Sequence, residues 1–429
     1  MPVLSTEPSL VRAVSRWQLV GLSINDVIGS GIYLLPAAAA ALLGNASALA
    51  VIAAGLAVTL LVLCFAEASS YFDEPGGAYV YTREAFGPFV GFEVGWMTWL
   101  ARIASIASLA NGFALATAYL WPAAATGFTR AALISGALGI LTWINVVGVK
   151  KGAGVAVTFT ILKLIPVTWF VLVGIFFVDW SHVSQITLPP SSAFGQAALL
   201  LLFAYAGFEN LPAAAGEYKN PRRDIPFALI TMIITVTLLY TLVMVVALGT
   251  HSELGKSTSP LAESAARFAG SGAALLLTVG AMVSIVGNIS NTTLTGPRYL
   301  FALAQDGYGP KQLARVHPRY RTPAVAILTL MTIALTLALT GSFVQLALLS
   351  IVARLTTYIG TAAAVPILRR RFAGRPDAFR LPGGATIPIA ALLVCVVFLA
   401  STETRNLVVG AIALAIGAVI YKFRRSDQR

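Results

Sequence analysis

A lysine lies in the middle of a long apolar stretch of the chain. Lys163 is 12 residues after Lys151 and 16 before Asp179. In a helix these separations correspond to about 18 Å and about 24 Å. A charge at such a depth in apolar surroundings costs at least about 2.5–3.5 kcal/mol, so the amine must pair, face an aqueous cavity or release its proton. A buried amine that titrates can carry protons, and a purely structural lysine is the alternative.

Two glycine-bearing interruptions break other apolar stretches. The first is Ile28-Gly29-Ser30-Gly31-Ile32, and the second is Ala206-Gly207-Phe208-Glu209, followed by Pro212. Small residues at the first interruption could simply allow close helix packing. The carboxylate beside the second is not required by packing, which favours a functional interpretation.

Further charged side chains lie within apolar stretches and have several possible partners. Asp26 could pair with the buried lysine, join proton transfer, contact a cationic substrate group or cap local backbone. Arg102 and Arg354 could form ion pairs with Asp26, Glu209 or Glu93, or act in packing and gating. Arg102 could also meet an anionic substrate group.

The composition places these residues in a membrane protein. Of 429 residues, 58% are hydrophobic and 11% are charged, whereas a soluble domain has about 25% charged residues. The apolar runs predict twelve transmembrane helices. Their approximate bounds are 17–43, 47–71, 88–121, 130–147, 152–178, 193–216, 225–249, 272–303, 323–340, 343–369, 386–402 and 406–423.

The positive charges predict the orientation. With the N-terminus inside, 22 of the 29 lysines and arginines fall in inner connections or tails and 4 in outer connections. This asymmetry predicts a multi-pass protein of the cytoplasmic (inner) membrane with both termini cytoplasmic. The net charge of +12 is thereby explained by topology and lipid contact, without nucleic acid. Dispersed cysteines and histidines predict no metal site, and we expect no cofactor and no enzyme activity.

The two interruptions open two groups of five helices. A broken helix exposes N–H groups at one half and carbonyls at the other, which suit a carboxylate and an ammonium respectively. Inverted-repeat transporters place broken helices at corresponding positions around a substrate site at mid-membrane. We expect a single transporter domain over 1–429, with repeats at 17–178 (helices 1–5) and 193–369 (helices 6–10), and helices 11–12 at 386–423.

Four stretches in order resemble the amino acid–polyamine–organocation (APC) transporter superfamily. They lie between residue 20 and about residue 325: Ile28-Gly29-Ser30-Gly31-Ile32; Ala66-Glu67 with Pro75-Gly76-Gly77-Ala78-Tyr79-Val80-Tyr81; 203–209 with 215–223; and Gly296-Pro297-Arg298 with 304–307 and Pro323. The resemblance implies an all-α polytopic membrane protein with a LeuT-like 5+5 inverted repeat of twelve transmembrane helices, of which helices 1 and 6 are discontinuous.

The resemblance also implies residue roles. The substrate carboxylate would meet N–H groups of Ser30 and Gly31, and Phe203 would form an aromatic lid, unless it is an ordinary core residue. Lys163 would occupy the volume of a sodium ion in sodium-coupled relatives. The implied substrate-binding residues are Val27, Ile28, Gly29, Ser30, Gly31, Phe203, Ala204, Ala206 and Gly207, and the proton-coupling residues are Lys163, Asp26 and Glu209.

Together these features predict an amino acid importer that works by proton symport with alternating access. Its expected partners are an amino acid, protons and the lipid bilayer. One alternative is an exchanger of amino acids or polyamines that needs no proton, although a polyamine has no carboxylate for the N–H groups of the first interruption. Less favoured alternatives are a sensor, which would need an appended domain, and a channel, which would need a continuous polar stripe.

Overall fold

The computed structural model describes residues 14–147, 152–187, 190–375 and 377–423, with the backbone alone at 152–159, 191–192 and 216–217. Within these ranges the protein is helical, and the single β contact is a bridge between Val14 and Tyr218. The α-helices, numbered α1 to α15 in chain order, are Arg16–Val27, Gly31–Leu43, Ser47–Ser70, Ala78–Phe86, Pro88–Ala118, Gly127–Val147, Gly152–Gly174, Trp180–Val183, Ser191–Tyr205, Pro221–Thr250, Pro260–Gln305, Ala324–Thr340, Phe343–Arg371, Thr386–Ala400 and Thr404–Lys422.

Most of these helices are long and apolar. By length and composition, nine helical stretches among the described residues could cross a membrane, and α12 and α14 are apolar but shorter. The protein is therefore a polytopic membrane protein. The helix α4, which lies outside the twelve predicted transmembrane segments, lies between two glycines with positive φ, Gly77 (54°) and Gly87 (93°). These glycines allow the sharp turns that separate α4 from its neighbours.

One predicted segment differs from the observed helix, and a second shows the interruption that the sequence predicted. The segment 272–303 lies in α11, which begins at Pro260 and is interrupted at Gly270, where φ is 75° and ψ is −172°. The segment 193–216 is α-helical as far as Tyr205 and continues as the 3₁₀ helix Phe208–Glu217, so it is interrupted where the sequence predicted a break. Apolar periodicity does not register the kink at Gly270, because the kink preserves the hydrophobic character of the segment.

The helices surround a common apolar core and present apolar side chains outward. α5 packs against α4, α11, α12 and α13, and most of its residues are buried. In contrast, α6 and α15 carry large exposed apolar residues, among them Ile140, Trp143 and Ile412. Such surfaces are typical of lipid contact. The interruptions between α1 and α2 and after α9 lie within this bundle, where they can form an enclosed site.

Candidate functional site

The interruption between α1 and α2 leaves backbone N–H groups without helical partners. α1 ends at Val27, Ile28 has an extended backbone (φ −75°, ψ 101°), and α2 begins at Gly31. Among the described residues, no backbone carbonyl accepts from the N–H groups of Gly29, Ser30 or Gly31. The amino end of a helix carries partial positive charge, so this end of α2 can bind an anion.

The second interruption follows α9 and depends on a glycine with a positive φ. α9 ends at Tyr205, and Gly207 has φ of 131°, a conformation that other residues rarely adopt. The Gly207 N–H donates to the Glu209 carboxylate at 3.0 Å. Glu209 therefore stabilises the irregular backbone.

The two interruptions touch each other. A β-carbon on Gly31 would lie 2.6 Å from Cα of Ala204, and one on Gly207 would lie 2.5 Å from the carbonyl oxygen of Asp26. Both contacts involve backbone atoms that cannot rotate away. Glycine at 31 and 207 is thus required by the approach of α2 to α9 and of the second interruption to α1.

A tyrosine from α10 bridges the two broken helices. The Tyr240 hydroxyl lies 3.2 Å from the Val27 carbonyl and 3.0 Å from the Ala204 carbonyl, and its side chain is 2% exposed. Both carbonyls belong to backbone next to an interruption. Tyr240 therefore compensates, from a third helix, for hydrogen bonds that the broken helices do not make themselves.

Replacing Tyr240 with phenylalanine is expected to lower the stability of the folded protein by about 1 kcal/mol, because two buried carbonyls lose their shared donor. The measurement is the thermal unfolding midpoint of purified protein in detergent. Tyr421→Phe is the control, since the Tyr421 hydroxyl has no hydrogen bond to a described residue. Equal midpoints for the two variants would contradict a bridging role.

A small cavity lies where the two interruptions meet. Predicted site residues form more than half of its lining: Asp26, Val27, Gly29, Ser30, Gly31, Phe203, Ala206 and Gly207. Ile28 and Ala204 do not line it, although they lie next to residues that do. The Phe203 ring packs edge-on against Phe343, with centroids 6.0 Å apart. The structure thus brings most of the predicted substrate-binding residues to the lining of one cavity.

Lys163 lies behind the first interruption and does not line the cavity. Its side chain is fully buried, and Nζ donates to the Asn25 carbonyl and, at 2.5 Å, to the Ile28 carbonyl. Both carbonyls lie at the carboxyl end of α1, which carries partial negative charge. A buried amine thus binds the carbonyl side of the interruption, while the N–H side borders the cavity.

Two arginines share the Glu209 carboxylate beside the cavity. Arg102 Nη2 lies 3.3 Å from Glu209 Oε1, and Arg354 Nη1 pairs with the same oxygen. All three side chains are at most 5% exposed. Of the acidic partners considered from the sequence, Glu209 is the one that both arginines contact, and both arginines line the cavity.

Asp26 has amide partners rather than a cationic one. Its Oδ1 accepts from Asn291, and its carbonyl accepts from Asn288 Nδ2 at 3.0 Å. Within the described ranges it forms no ion pair within 4.0 Å, so the pairing with Lys163 that the sequence allowed is absent from this structure.

Several polar cavity residues were missed at the sequence level. Asn210, Asn288 and Thr292 line the cavity together with Ser105. Two of them, Asn288 and Thr292, have a signal in the sequence. Together with Ser284 they recur at intervals of four in an apolar helix, and this spacing places their polar groups on one face of the helix. Tyr240 gives no such signal, since it is a single tyrosine in an apolar segment.

Four polar atoms of residues that line the cavity are buried without a hydrogen bond to a described residue. They are Ser30 Oγ, Asn210 Oδ1, Arg102 Nε and Arg354 Nη1, of which the last forms an ion pair with Glu209. Buried polar groups in native proteins are nearly always satisfied. Their concentration around one cavity, next to unpaired N–H groups, is typical of a site that binds a polar ligand.

Comparison with known proteins agrees with this geometry. The family described as amino acid permease matches residues 14–428. The chain is 29% identical to the branched-chain amino acid permease BcaP of Bacillus subtilis, covering 97% of this chain and 94% of the relative. It is 31% identical to the serine/threonine exchanger SteT of the same organism, covering 92% of each. It is also 29% identical to the Bacillus subtilis methylthioribose transporter, covering 97% and 94%.

The family match extends over nearly the whole described chain, and each of these relatives is a transporter and not an enzyme. The apolar helices independently indicate a multi-pass membrane protein. The chain therefore belongs to the amino acid permease family of membrane transporters.

Proposed function

We propose that the protein imports an amino acid across the cytoplasmic membrane by proton symport with alternating access. In this proposal twelve transmembrane helices form a LeuT-like 5+5 inverted repeat over 17–178 and 193–369, with helices 11–12 at 386–423 and both termini cytoplasmic. The names of the branched-chain permease and the serine/threonine exchanger support an amino acid as substrate. The distribution of lysine and arginine supports the orientation.

The observation that carries the proposal is the polarity of the first interruption. Gly29, Ser30 and Gly31, whose N–H groups have no backbone acceptor among the described residues, line the cavity, while Lys163 binds carbonyls at the end of α1. An α-carboxylate in the cavity would accept hydrogen bonds from these N–H groups and from the Ser30 hydroxyl. Such charge-assisted hydrogen bonds are stronger than those between neutral groups.

The ammonium group of the substrate would bind carbonyls at the same cavity. The Val27 carbonyl already accepts from Tyr240 and the Phe203 carbonyl from the Ala206 N–H at 3.2 Å, but each carbonyl has a second lone pair. The Ala206 carbonyl accepts from no described donor, so it is the most available of the three. Phe203 would close over the bound substrate and exclude water.

Lys163 would couple transport to protons. Its ammonium attracts the Asn25 and Ile28 carbonyls and holds α1 in the shape that leaves the α2 N–H groups open to the cavity. Loss of the proton weakens that attraction and lets α1 relax, so protonation biases an equilibrium between two conformations. Asp26, held by Asn291 beside the cavity, would exchange protons with the substrate site, and Glu209 would hold the two arginines while protons move.

An exchanger that needs no proton is the second candidate, and the 31% identity to a serine/threonine exchanger favours it. It would use the same substrate contacts at the first interruption. Under this alternative, Lys163 would be a fixed structural cation that stabilises the end of α1. The two candidates differ in whether a proton gradient alone drives accumulation.

The substrate contacts predict that amino acids bind far more tightly than their α-amides. Loss of a charged hydrogen-bond partner costs about 1.5–3 kcal/mol, so affinity should fall roughly 10- to 100-fold. The measurement is thermal stabilisation of the purified protein by the twenty amino acids, followed by titration of the best binder and its amide. Putrescine is included as an amine without a carboxylate.

Equal affinity for acid and amide, or tighter binding of putrescine, would contradict the carboxylate site. Substituting Gly31 with valine is not a clean test, because a β-carbon there meets the backbone of Ala204. The ligand series leaves the protein unchanged and so avoids that difficulty.

A further inference from the structure

We infer that the amino acid transported carries a polar, uncharged side chain that both donates and accepts hydrogen bonds, as a hydroxyl or a carboxamide does, and that Asn210 is the residue that selects it. The inference rests on the proposed function and deepens it by naming the class of side chain. The relatives leave this class open, because they are named for branched-chain amino acids and for serine and threonine.

The charged side chains at the cavity are balanced. Arg102, Arg354 and Asp26 line it, and Glu209 pairs with both arginines. Two cations therefore face two carboxylates. A charged substrate side chain would bring a further, unpaired charge into buried surroundings, which is costly. The charges at the site thus favour a substrate side chain without net charge.

Most of the uncharged polar side chains that line the cavity have partners within the protein. Ser105 Oγ accepts from Arg354 Nη2 at 3.1 Å. Asn288 donates to the Asp26 carbonyl at 3.0 Å and accepts from the Thr292 hydroxyl at 3.4 Å. These groups are therefore less available to a substrate than lining residues whose polar atoms have no partner.

Two uncharged residues of the lining, Ser30 and Asn210, have buried oxygens without a hydrogen bond to a described residue. Ser30 lies at the first interruption, beside the N–H groups proposed to bind the α-carboxylate. Asn210 lies at the second interruption, three residues after Gly207. An amino acid has its carboxylate at one end and its side chain at the other. The two residues are thus placed to bind the two ends of one substrate.

The unpartnered atoms beside the second interruption include one acceptor and one donor. Asn210 Oδ1 is the acceptor, and its residue is 7% exposed. Arg102 Nε is the donor, and the same guanidinium reaches Glu209, the residue next to Asn210 in the chain, at 3.3 Å. A substrate side chain that satisfies both atoms must therefore donate one hydrogen bond and accept another.

A hydroxyl or a carboxamide meets this requirement, because each donates and accepts. A carboxylate only accepts, an ammonium only donates, and an aliphatic side chain does neither. An aliphatic side chain would also leave the Asn210 oxygen buried without a partner. Sites built to form hydrogen bonds reject analogues that lack the matching group. The pair of unpartnered atoms thus selects for a polar, uncharged side chain.

The test uses amino acids of similar shape that differ in polarity. L-Asparagine is compared with L-leucine and L-aspartate, and L-threonine with L-valine, in equilibrium binding to the purified protein. The wild type is expected to bind asparagine and threonine roughly 5- to 100-fold more tightly than leucine and valine. It should also bind aspartate more weakly than asparagine.

Asn210→Leu keeps the size of the side chain and removes its amide, so both preferences should shrink toward equality while leucine and valine still bind. Asn145→Leu is the matched control. Asn145 lines a neighbouring cavity and not this one, and its Nδ2 donates to the Leu141 carbonyl at 2.8 Å. This variant should keep the wild-type preferences.

Equal or tighter binding of leucine, valine or aspartate by the wild type would overturn the inference and leave the proposed function standing. This comparison needs no variant, so it stands even if Asn210→Leu fails to fold. A preference for asparagine and threonine that a folded Asn210→Leu protein retains would also overturn the inference. If none of the twenty amino acids bound, the proposed function would fail, and the inference with it.

Discussion

Replacing Lys163 with alanine is expected to abolish accumulation of substrate driven by a proton gradient, while exchange of labelled for unlabelled substrate remains measurable. Alanine has no amine to carry a proton and leaves the Asn25 and Ile28 carbonyls without this donor. The substrate contacts on the N–H side of the interruption are not removed. The measurement is uptake into proteoliposomes, first with a proton gradient and then under exchange conditions without one.

The matched control for this variant is Lys256→Ala, which removes an amine that is 80% exposed and paired with Glu253 on the protein surface. It should accumulate substrate as the wild type does. Intact proton-driven accumulation in Lys163→Ala would show that another group couples transport to protons. Loss of both accumulation and exchange, in a protein that still folds, would show that Lys163 supports substrate binding itself.

Replacing Glu209 with glutamine is expected to lower the stability of the folded protein strongly. Glutamine leaves two arginines, 1% and 5% exposed, without their shared carboxylate. Removing one partner of a buried ion pair costs about 3–5 kcal/mol, because the remaining charge stays buried and unpaired. We expect a markedly lower thermal unfolding midpoint and a reduced yield of monodisperse protein in detergent.

Two further variants show whether this loss comes from charge. Glu84→Gln removes a carboxylate from a surface pair with Arg371, where both side chains are more than 40% exposed, and such pairs contribute about 0–1 kcal/mol. The double variant Glu209→Gln/Arg102→Gln removes one cation together with the carboxylate and should recover part of the lost stability. A midpoint for Glu209→Gln equal to that of Glu84→Gln would contradict the role of Glu209 as a shared counter-ion.

The sequence was most informative where a residue type was improbable in its surroundings. Lys163 is conspicuous because a lysine at that depth needs a specific reason. The interruption at 28–32 is conspicuous because paired glycines flank a serine in an apolar helix. The helical segments could be predicted from apolar runs, because a helix that crosses a lipid bilayer needs a long run of apolar residues. These signals are local, so each can be recognised within a single segment of the sequence.

The pairing of charges could not be predicted in the same way. Arg102 lies 107 residues from Glu209, and the sequence offered Asp26, Glu209 and Glu93 as equally plausible partners. Only the packing of α5 and α13 against the second interruption decides among them. Tyr240 was missed for a related reason, because its role depends on two carbonyls that come together in three dimensions. The polar residues of α11 could have been predicted from the sequence, because Ser284, Asn288 and Thr292 recur at intervals of four.

The central claim is that an amino acid bound at the first interruption is accumulated at the expense of a proton gradient. The most direct test is uptake of the best-binding amino acid into proteoliposomes of the wild-type protein, under proton and sodium gradients imposed separately. We predict accumulation above the external concentration with an inward proton gradient, and equilibration alone with an inward sodium gradient. Accumulation driven by sodium alone, or equal uptake under both gradients, would contradict the claim.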